Sequence, residues 1–177
     1  MTQSIPPAGI TIRRAIPDDA AELSTLAKRS KANWGYPRDW LARWDSELTF
    51  TRAYLDSHRA WVAAASGTLV GMCVLELRAD GAWLEHVWIA PEAQRRGIGR
   101  ALVEEALRAA AALGISRVTL ASDPFAEQFY MKLGAKPYGF EPAPMPGDAT
   151  RALSLFEFKV EARFEDSESP GDDPQTN

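Results

Sequence analysis

The sequence predicts one α/β domain, and three observations support this fold class. The chain of 177 residues has the length of a single domain. Its composition, 46% hydrophobic and 25% charged, is typical of a globular protein. Segments of alternating polarity and segments of helical periodicity follow one another along the chain. We therefore expect one domain at 10–160, a flexible N-terminus at 1–9 and an acidic disordered tail at 161–177.

The first half of the domain should contain four strands and two helices. In order, we predict a strand at 10–13, a helix at about 18–31, a helix through 40–48, and strands at 61–64, 69–77 and about 82–89. Pro17 and Asp18 supply capping chemistry for the first helix, and Trp40 and Trp44 recur at helical spacing in the second. The turn at 66–67 predicts a hairpin, and Pro91 ends the last of these strands.

The second half begins with the strongest helical pattern of the chain. Alanine and leucine line one side of 98–113, and Gly114 is well placed to end this helix. A short apolar strand at 118–121, a short helix at 127–133 and an alternating strand at 153–158 complete the domain. We detect no internal repeat and no second domain in the pattern.

Charge and cysteine content restrict the partners that we expect. Positions 161–177 hold six acidic residues and one basic residue, Arg163, so they carry a net charge of −5. Since the whole chain has a net charge of −4, residues 1–160 carry about +1. This charge gives no argument for a nucleic acid or an anionic membrane as a partner. Cys73, the single cysteine, fits a reducing compartment, and no apolar segment reaches the ~20 residues that cross a bilayer. Since we also find no export leader, we predict a cytoplasmic protein.

The most informative segment lies between a strand and the alanine-rich helix. It reads Gln94-Arg95-Arg96-Gly97-Ile98-Gly99-Arg100. Glycines allow sharp turns and close approach of the backbone, and a helix N-terminus presents unpaired N–H groups that suit phosphate. An isolated GxG is equally a softened helix start with solvated arginines. The third glycine of the dinucleotide fingerprint and the lysine of the Walker loop are both missing, which disfavours a phosphotransferase.

This segment resembles the cofactor motif of the GNAT superfamily of acetyl-CoA-dependent N-acetyltransferases. Gln94, Gly97 and Gly99 match that motif, while 129–135 looks like the family's closing segment and 12–20 like its opening. The resemblance covers about 10–158. It implies acetyl-CoA as the cofactor, and a mixed sheet of about six to seven strands with about four flanking helices and a splayed parallel strand pair.

The resemblance also implies where the cofactor would bind. Its diphosphate would lie on the glycine loop, and its pantetheine arm would run between strands near 87–89 and 120–122. An N–H of the first strand would polarise the thioester carbonyl, which implies direct transfer without an acyl-enzyme. Many relatives carry asparagine where Asp123 stands, and an ionised carboxylate cannot donate that amide's hydrogen bond. The implied cofactor-binding residues are Val87, Trp88, Ile89, Gln94, Arg95, Arg96, Gly97, Ile98, Gly99, Arg100, Ser122, Asp123, Phe125 and Tyr130.

Three side chains are candidates for proton transfer. Glu85 could deprotonate the attacking amine, because strand alternation places it on the face of Val87 and Ile89; it could equally be a carboxylate at a strand edge or in an ion pair. His86 should point to the opposite face, as a reserve base or a structural histidine. Tyr130 matches the family tyrosine that protonates the departing thiolate, although a packed aromatic would look the same.

The acceptor side has little shared pattern. Trp34 and Tyr36 are candidates to line an acceptor pocket together with Glu85, and nearby acidic side chains could attract a cationic amine. For Trp40 and Trp44 we favour a structural role, as the face of a helix that packs on the sheet. We predict no metal site. The hypothesis is acetyl transfer to a primary amine of a small molecule or peptide; the alternative is a non-catalytic CoA-binding or sensing module. Homodimers are common in similar proteins.

Overall fold

The computed structural model describes residues 6–161, and the strands of that range form one seven-stranded sheet in the order β1-β2-β3-β4-β5-β7-β6. The strands are β1 (Ile10–Arg14), β2 (Arg59–Ala65), β3 (Thr68–Arg78), β4 (Gly81–Ile89), β5 (Arg117–Ser122), β6 (Lys136–Pro142) and β7 (Ala152–Lys159). Neighbouring strands are antiparallel except β4 and β5. The α/β class and the mixed sheet are confirmed, while positions 162–177 of the predicted tail and 1–5 of the N-terminus lie outside the described residues.

Five α-helices accompany the sheet within residues 6–161, one more than predicted. They are α1 (Ala20–Ala32), α2 (Arg38–Arg43), α3 (Arg52–Ser57), α4 (Ile98–Ala112) and α5 (Glu127–Lys132). Both α1 and α4 pack on β3 and β4. Trp34, just after α1, contacts Trp88, whereas Gly99 at the start of α4 lies beside Ile89. Because Trp88 and Ile89 are consecutive in a strand, the two helices cover opposite faces of the sheet.

The core lies between these two helices and the central strands. Met72, Val74 and Leu75 of β3 are at most 1% exposed, and Leu102 and Ala106 of α4 are fully buried. The burial of every third or fourth residue explains why the alanine-rich segment was readable as a helix. In residues 6–161, no helix combines the length and the apolar character that a bilayer crossing requires.

Strands β4 and β5 separate soon after they meet. Their parallel ladder contains two pairs, Ala82 with Val118 and Trp83 with Thr119. Beyond them β5 pairs only with β7, up to Ser122 with Ser154. The sheet therefore opens a gap between 84–89 of β4 and 120–122 of β5, as the resemblance implied.

A β-bulge interrupts β4 beside this gap. Val74 of β3 pairs with His86, and the next residue, Leu75, pairs with Leu84. Glu85 is thus an extra residue without a partner on β3, and a bulge of this kind redirects side chains locally. The alternation that was used to assign the faces of Glu85 and His86 does not hold at this point.

Three elements differ from the sequence prediction. The second helix ends at Arg43 instead of continuing to 48, and the chain leaves it in turns that bury Leu48. Thr51 accepts a hydrogen bond from the amide of Tyr54 and caps α3, which was not predicted. Strand β6 was also missed, because its prolines and glycine hide its pairing with β7.

Candidate active site

The glycine loop (residues 94–100) turns from the end of β4 into α4. Gly97 is the N-cap residue of α4 and has φ of +81°, a left-handed conformation that glycine adopts without strain. Arg95 also lies in this region, with φ of +60°. A side chain added at Gly97 would meet only a ring carbon of Pro7, at 3.5 Å. The loop therefore leaves open space in front of the helix.

Four consecutive backbone N–H groups at the turn into α4 have no hydrogen-bond partner among residues 6–161. They belong to residues 97–100, and the first amide that bonds within the helix is that of Ala101, which donates to the carbonyl of Gly97 over 3.1 Å. The partial positive charge of a helix N-terminus adds to these donors. Arg95, Arg96 and Arg100 are exposed around them. The loop is thus a site for an anion with several oxygen atoms.

Gly99 and Gln94 fix the loop against its neighbours. A Cβ atom at Gly99 would stand 3.1 Å from the ring of Phe129, so the absence of a side chain lets α5 approach the start of α4. The Nε2 atom of Gln94 lies 3.5 Å from the carbonyl oxygen of Ile89, at the end of β4. Ile98 is buried and anchors the first turn of the helix.

A cavity of about 440 Å³ opens where β4 and β5 diverge. Its walls come from β4, the end of β5, the segments around α1, α2 and α5, and the loop 143–145 before β7. Predicted site residues on these walls are Trp34, Glu85, His86, Val87, Trp88, Asp123 and Tyr130. The loop 143–145, which contains Pro144, thus forms one wall of the cavity.

Glu85 is held by a residue that the sequence prediction missed. The hydroxyl of Tyr54, in α3, donates to Oε2 of Glu85 over 3.0 Å. Burial, and then the charge of Glu85, raises the pKa of Tyr54 far above its usual value, so this phenol stays protonated and remains a donor. The Tyr54 ring also lies 6.3 Å from that of His86. The prediction that Glu85 and His86 point to opposite faces is wrong, because the bulge at Glu85 brings both towards Tyr54.

His86 is a neutral hydrogen-bond donor in this structure. Its Nδ1 accepts from the indole N–H of Trp88 over 3.2 Å, and an indole can only donate, so the ring proton is on Nε2. Burial lowers the pKa of His86 to about 4. Neither nitrogen then offers a lone pair to an amine, which favours Glu85 over His86 as the proton acceptor.

Tyr130 lies in α5 with 8% of its surface exposed. No group among residues 6–161 hydrogen-bonds its hydroxyl, and that range contains no fully buried side-chain oxygen without a partner. The hydroxyl therefore opens into the cavity that Tyr130 lines. Burial raises the pKa of Tyr130 well above its usual value, so the group is protonated at neutral pH and can donate.

Asp123 is bound by the protein itself. Its carboxylate accepts from Lys31 Nζ at 2.8 Å, from the Tyr36 hydroxyl at 2.8 Å and from the amide of Phe125 at 3.2 Å. These bonds occupy both carboxylate oxygens of Asp123, which the resemblance implied as a contact for the pantetheine arm. The structure therefore does not favour Asp123 as a cofactor ligand. Ser122 is 1% exposed and donates to the carbonyl of Asp123, so its hydroxyl is also occupied.

The aromatic residues after α1 form a single cluster. Trp34 stacks on Phe125 with ring centroids 5.8 Å apart, and Tyr36 stacks on Trp40 at 5.5 Å. Trp40 donates its indole N–H to the carbonyl of Pro146, and α2 buries no residue. The predicted packing of Trp40 on the sheet is therefore wrong, whereas Trp44 contacts the core and the cavity.

Lys31, Tyr54 and Arg151 contact the predicted site residues but were not identified from the sequence. Lys31 and Arg151 both contact Oδ2 of Asp123, and Tyr54 holds Glu85. Each comes from a segment distant in sequence from its partner, so no local motif marks it. The one usable signal was Lys31 in an otherwise apolar position of the first helix.

Comparison with known proteins agrees with this geometry. Residues 23–135 match the family model described as "Acetyltransferase (GNAT) family". A 72-residue stretch is 35% identical to the peptidyl-lysine N-acetyltransferase YiaC of Escherichia coli (strain K12), and it covers 40% of this chain and 47% of that protein. The chain thus spans about half the length of the curated relative that it matches.

Two solved structures show the same fold. One is the paiA N-acetyltransferase from Thermoplasma acidophilum in complex with coenzyme A, with a TM-score of 0.68 and 24% identity over 85% of this chain and 99% of that one. The other is the ribosomal-protein-S18-alanine N-acetyltransferase from Escherichia coli, with a TM-score of 0.66 and 18% identity over 89% and 97%. At these identities the likeness concerns the fold.

Proposed function

Because the chain belongs to the acetyltransferase (GNAT) family, we propose that it transfers the acetyl group of acetyl-CoA directly to a primary amine of a small molecule or peptide. The observation that carries this proposal is the row of four unpartnered amides at 97–100, next to the gap between β4 and β5. A diphosphate suits the amides, and an extended pantetheine arm suits the gap. The peptidyl-lysine acetyltransferase activity of the relative is compatible with a primary amine as acceptor.

The residues present fit the cofactor at its diphosphate end. The amides of the glycine loop would donate to the phosphate oxygens, and Arg95, Arg96 and Arg100 would add charge. Along the gap, Val87 and Ile89 offer backbone groups that β5 leaves unpaired. When bound, acetyl-CoA supplies an activated acetyl group as a thioester. A β4 amide that donates to the carbonyl oxygen would stabilise the negative charge that develops there.

Glu85 is the proposed proton acceptor for the amine. An ammonium has no lone pair, so a carboxylate at the cavity wall must remove a proton directly or through water. The hydrogen bond from Tyr54 fixes one oxygen of Glu85 and leaves the other available. His86 donates through Nε2 and could orient the acceptor or a water molecule instead.

Tyr130 is the proposed proton donor to the leaving thiolate. Its hydroxyl opens into the cavity, and its raised pKa keeps it protonated. With acetyl-CoA bound, the phenol of Tyr130 would donate its proton or a hydrogen bond to the sulfur that leaves the acetyl group. The alternative role, a packed aromatic residue, predicts no effect of removing the hydroxyl on turnover.

The proposal is tested by release of free thiol from acetyl-CoA across a panel of amines. The panel should include amino acids, polyamines, aminoglycosides, lysine peptides and peptide N-termini. We expect amine-dependent thiol release, and tight binding of CoA without binding of ATP. Tight binding of CoA with no thiol release for any amine would favour the non-catalytic module, and binding of ATP instead of CoA would overturn both readings.

Three further expectations accompany the proposed activity. A cytoplasmic location rests on the single cysteine, Cys73, because cysteine usage of this kind fits a reducing compartment. The domain limits of 10–160 are supported by the strands that begin at Ile10 and end at Lys159. Homodimer formation rests on similar proteins alone, and size-exclusion chromatography with light scattering would test it.

A further inference from the structure

Lys31, in the last turn of α1, directs its ammonium into the wall of the cavity. Nζ lies 2.8 Å from Oδ2 of Asp123, and 4.0, 4.9 and 5.0 Å from the ring centroids of Trp44, Trp34 and Tyr36. The side chain keeps 9% of its exposure. The aromatic pocket that we had considered for a cationic acceptor is therefore already filled by a cation of the chain itself.

Arg151 approaches the same carboxylate from the segment before β7. Its Nη2 atom lies 3.5 Å from Oδ2 of Asp123, and its Nη1 donates to the carbonyl of Ala143 over 3.1 Å. Its side chain is 8% exposed. Lys31, Asp123 and Arg151 thus form a buried cluster, which we call the Lys31 cluster.

The Lys31 cluster contains two cations and one carboxylate. Asp123 already accepts from Tyr36 and from the amide of Phe125 as well. Burial lowers the pKa of Lys31, and Arg151 lowers it further, while Asp123 and then Glu47 act in the opposite direction. Glu47 lies exposed on the cavity wall. Glu47 acts only from the exposed wall, and the buried part of the cluster holds two cations against one carboxylate, so an anion bound there would stabilise the cluster.

The cluster shares the cavity with the proposed chemistry. Lys31 and Arg151 line the same cavity as Glu85 and Tyr130. Trp88 stands between the two ends: its indole N–H donates to His86, and its ring centroid is 5.8 Å from Lys31 Nζ. Trp88 therefore lies between Lys31 and His86, the residue that follows Glu85 in β4.

We propose that Lys31 and Arg151 form an anion subsite for the acceptor, so that the substrate is a small amine that also carries a carboxylate. The carboxylate would bind at the Lys31 cluster while the amine faces Glu85 across Trp88. This proposal rests on the proposed acetyl transfer and narrows its acceptor class. A guanidinium and an ammonium are the usual partners of a carboxylate, and about 440 Å³ suits a small molecule.

The same charges disfavour acceptors with several positive groups. A polyamine or an aminoglycoside that reached the cluster would bring a second cation against Lys31 and Arg151, whose shared partner Asp123 is already bound to both, while Glu47 and Glu85 lie elsewhere on the cavity wall. Like charges in a poorly solvated site repel strongly. The anion subsite thus predicts that acceptors with one amine and one carboxylate are preferred over acceptors with several positive groups.

The first test uses the wild-type protein and matched acceptors. We compare ω-amino carboxylates of increasing chain length with their carboxamides, in which the amine is almost unchanged. We expect kcat/KM to be at least about 10-fold higher for the carboxylate at one preferred length, which corresponds to one charge-assisted contact. Equal kcat/KM for each carboxylate and carboxamide pair would overturn the anion subsite.

The second test removes the charges. Arg151→Met and the double variant Lys31→Met/Asp123→Asn, which does not leave Asp123 as an unpaired charge, should each reduce the preference for the carboxylate at least about 5-fold. Lys28→Met is the matched control, since Lys28 pairs with Asp45 on the surface. A preference that survives in both cluster variants would contradict the proposal. If either variant fails to fold, the wild-type comparison still decides.

The outcomes separate this inference from the proposed function. If thiol is released at equal kcat/KM with amines that carry a carboxylate, no second charge or further positive groups, the proposed acetyl transfer stands and the anion subsite is rejected. Preference for a lysine peptide flanked by neutral residues over every amino carboxylate would reject it as well. Absence of thiol release with any amine would reject the proposed function itself. Binding of the N-acetylated carboxylate product to the CoA-loaded protein, measured by calorimetry and lost in Arg151→Met, is the readout that does not require turnover.

Discussion

The glycine loop presents backbone N–H groups that no other group of residues 6–161 binds, whereas the cavity beyond the β4–β5 gap is lined by side chains that already bind one another. The first region depends on local backbone geometry, because Gly97 and the start of α4 create it within seven residues. The second depends on contacts between α1, α3, β5 and the segment before β7. Consequently, a change in the loop should affect the cofactor, and a change in the cavity should affect the acceptor or the proton transfers.

The largest expected effect comes from Gly97→Glu. This change places a carboxylate among the amides that we assign to the diphosphate, in a left-handed conformation that favours glycine. We expect the affinity for CoA to fall about 1000-fold, or ~4 kcal/mol, in calorimetry.

Gly114→Glu is the matched control for Gly97→Glu. Gly114 has φ of +73°, open space around its Cα, and lies just beyond the other end of α4. It therefore carries the same backbone strain and the same charge away from the loop. Equal losses of CoA affinity in the two variants would show that strain, and not the site, causes the effect.

Glu85→Gln should have the next largest effect. Glutamine still accepts the hydrogen bond from Tyr54, so the structural role of this residue is kept and its role as a base is lost. We expect kcat/KM for the amine to fall about 100-fold with CoA affinity unchanged. Tyr54→Phe, which keeps the carboxylate and removes its partner, should cost less than about 10-fold. Activity that is insensitive to Glu85→Gln would leave Glu85 with a structural role alone.

Tyr130→Phe sharpens the division between cofactor binding and chemistry. The variant removes one hydroxyl from the cavity and keeps the buried ring. Single-turnover rates should fall about 10-fold while CoA binds normally. Tyr138→Phe, at a half-exposed tyrosine of β6, is the control and should not change the rate. Rates equal to wild type in Tyr130→Phe would remove its hydroxyl from the mechanism.

The last expected effect is on the free energy of unfolding and leaves activity aside; it arises from His86. Its folded pKa of about 4 lies below the ordinary value near 6.5, so the unfolded chain binds the proton first as the pH falls. His86 therefore contributes stability above pH 6.5 that is lost as the pH falls towards 4. We expect His86→Gln to reduce the loss of unfolding free energy between pH 7 and pH 5 by about 2 kcal/mol, measured by urea denaturation. An unchanged pH dependence would contradict the buried neutral imidazole.

The contrast between the two regions also explains what the sequence could predict of the fold. Helical periodicity located α1 and α4, and alternation located β7, because each buries one face in the core, whereas β3 was located by a continuous apolar run that is buried on both faces. Strand β6 has no such face: most of its residues are exposed, and it is held by pairing with β7. Helix α3 is short and depends on its Thr51 cap, which a periodicity argument does not detect.

The site was predictable to the extent that it is local. The motif at 94–100 identified the loop, since glycine positions and a helix start are written in consecutive residues. The face of Glu85 was predicted wrongly, because a bulge is set by the pairing of β4 with β3 and not by β4 alone. Lys31 and Arg151 meet at Asp123 from distant parts of the chain, so only the folded structure reveals the cluster.

The most direct test of the central claim is an amide-resolved NMR titration of the protein with CoA and, separately, with pantetheine, which lacks the diphosphate. If the glycine loop binds the diphosphate, CoA should shift the backbone amide signals of residues 97–100 and pantetheine should leave them nearly unchanged. Binding of CoA that leaves these four amide signals in place would contradict the account.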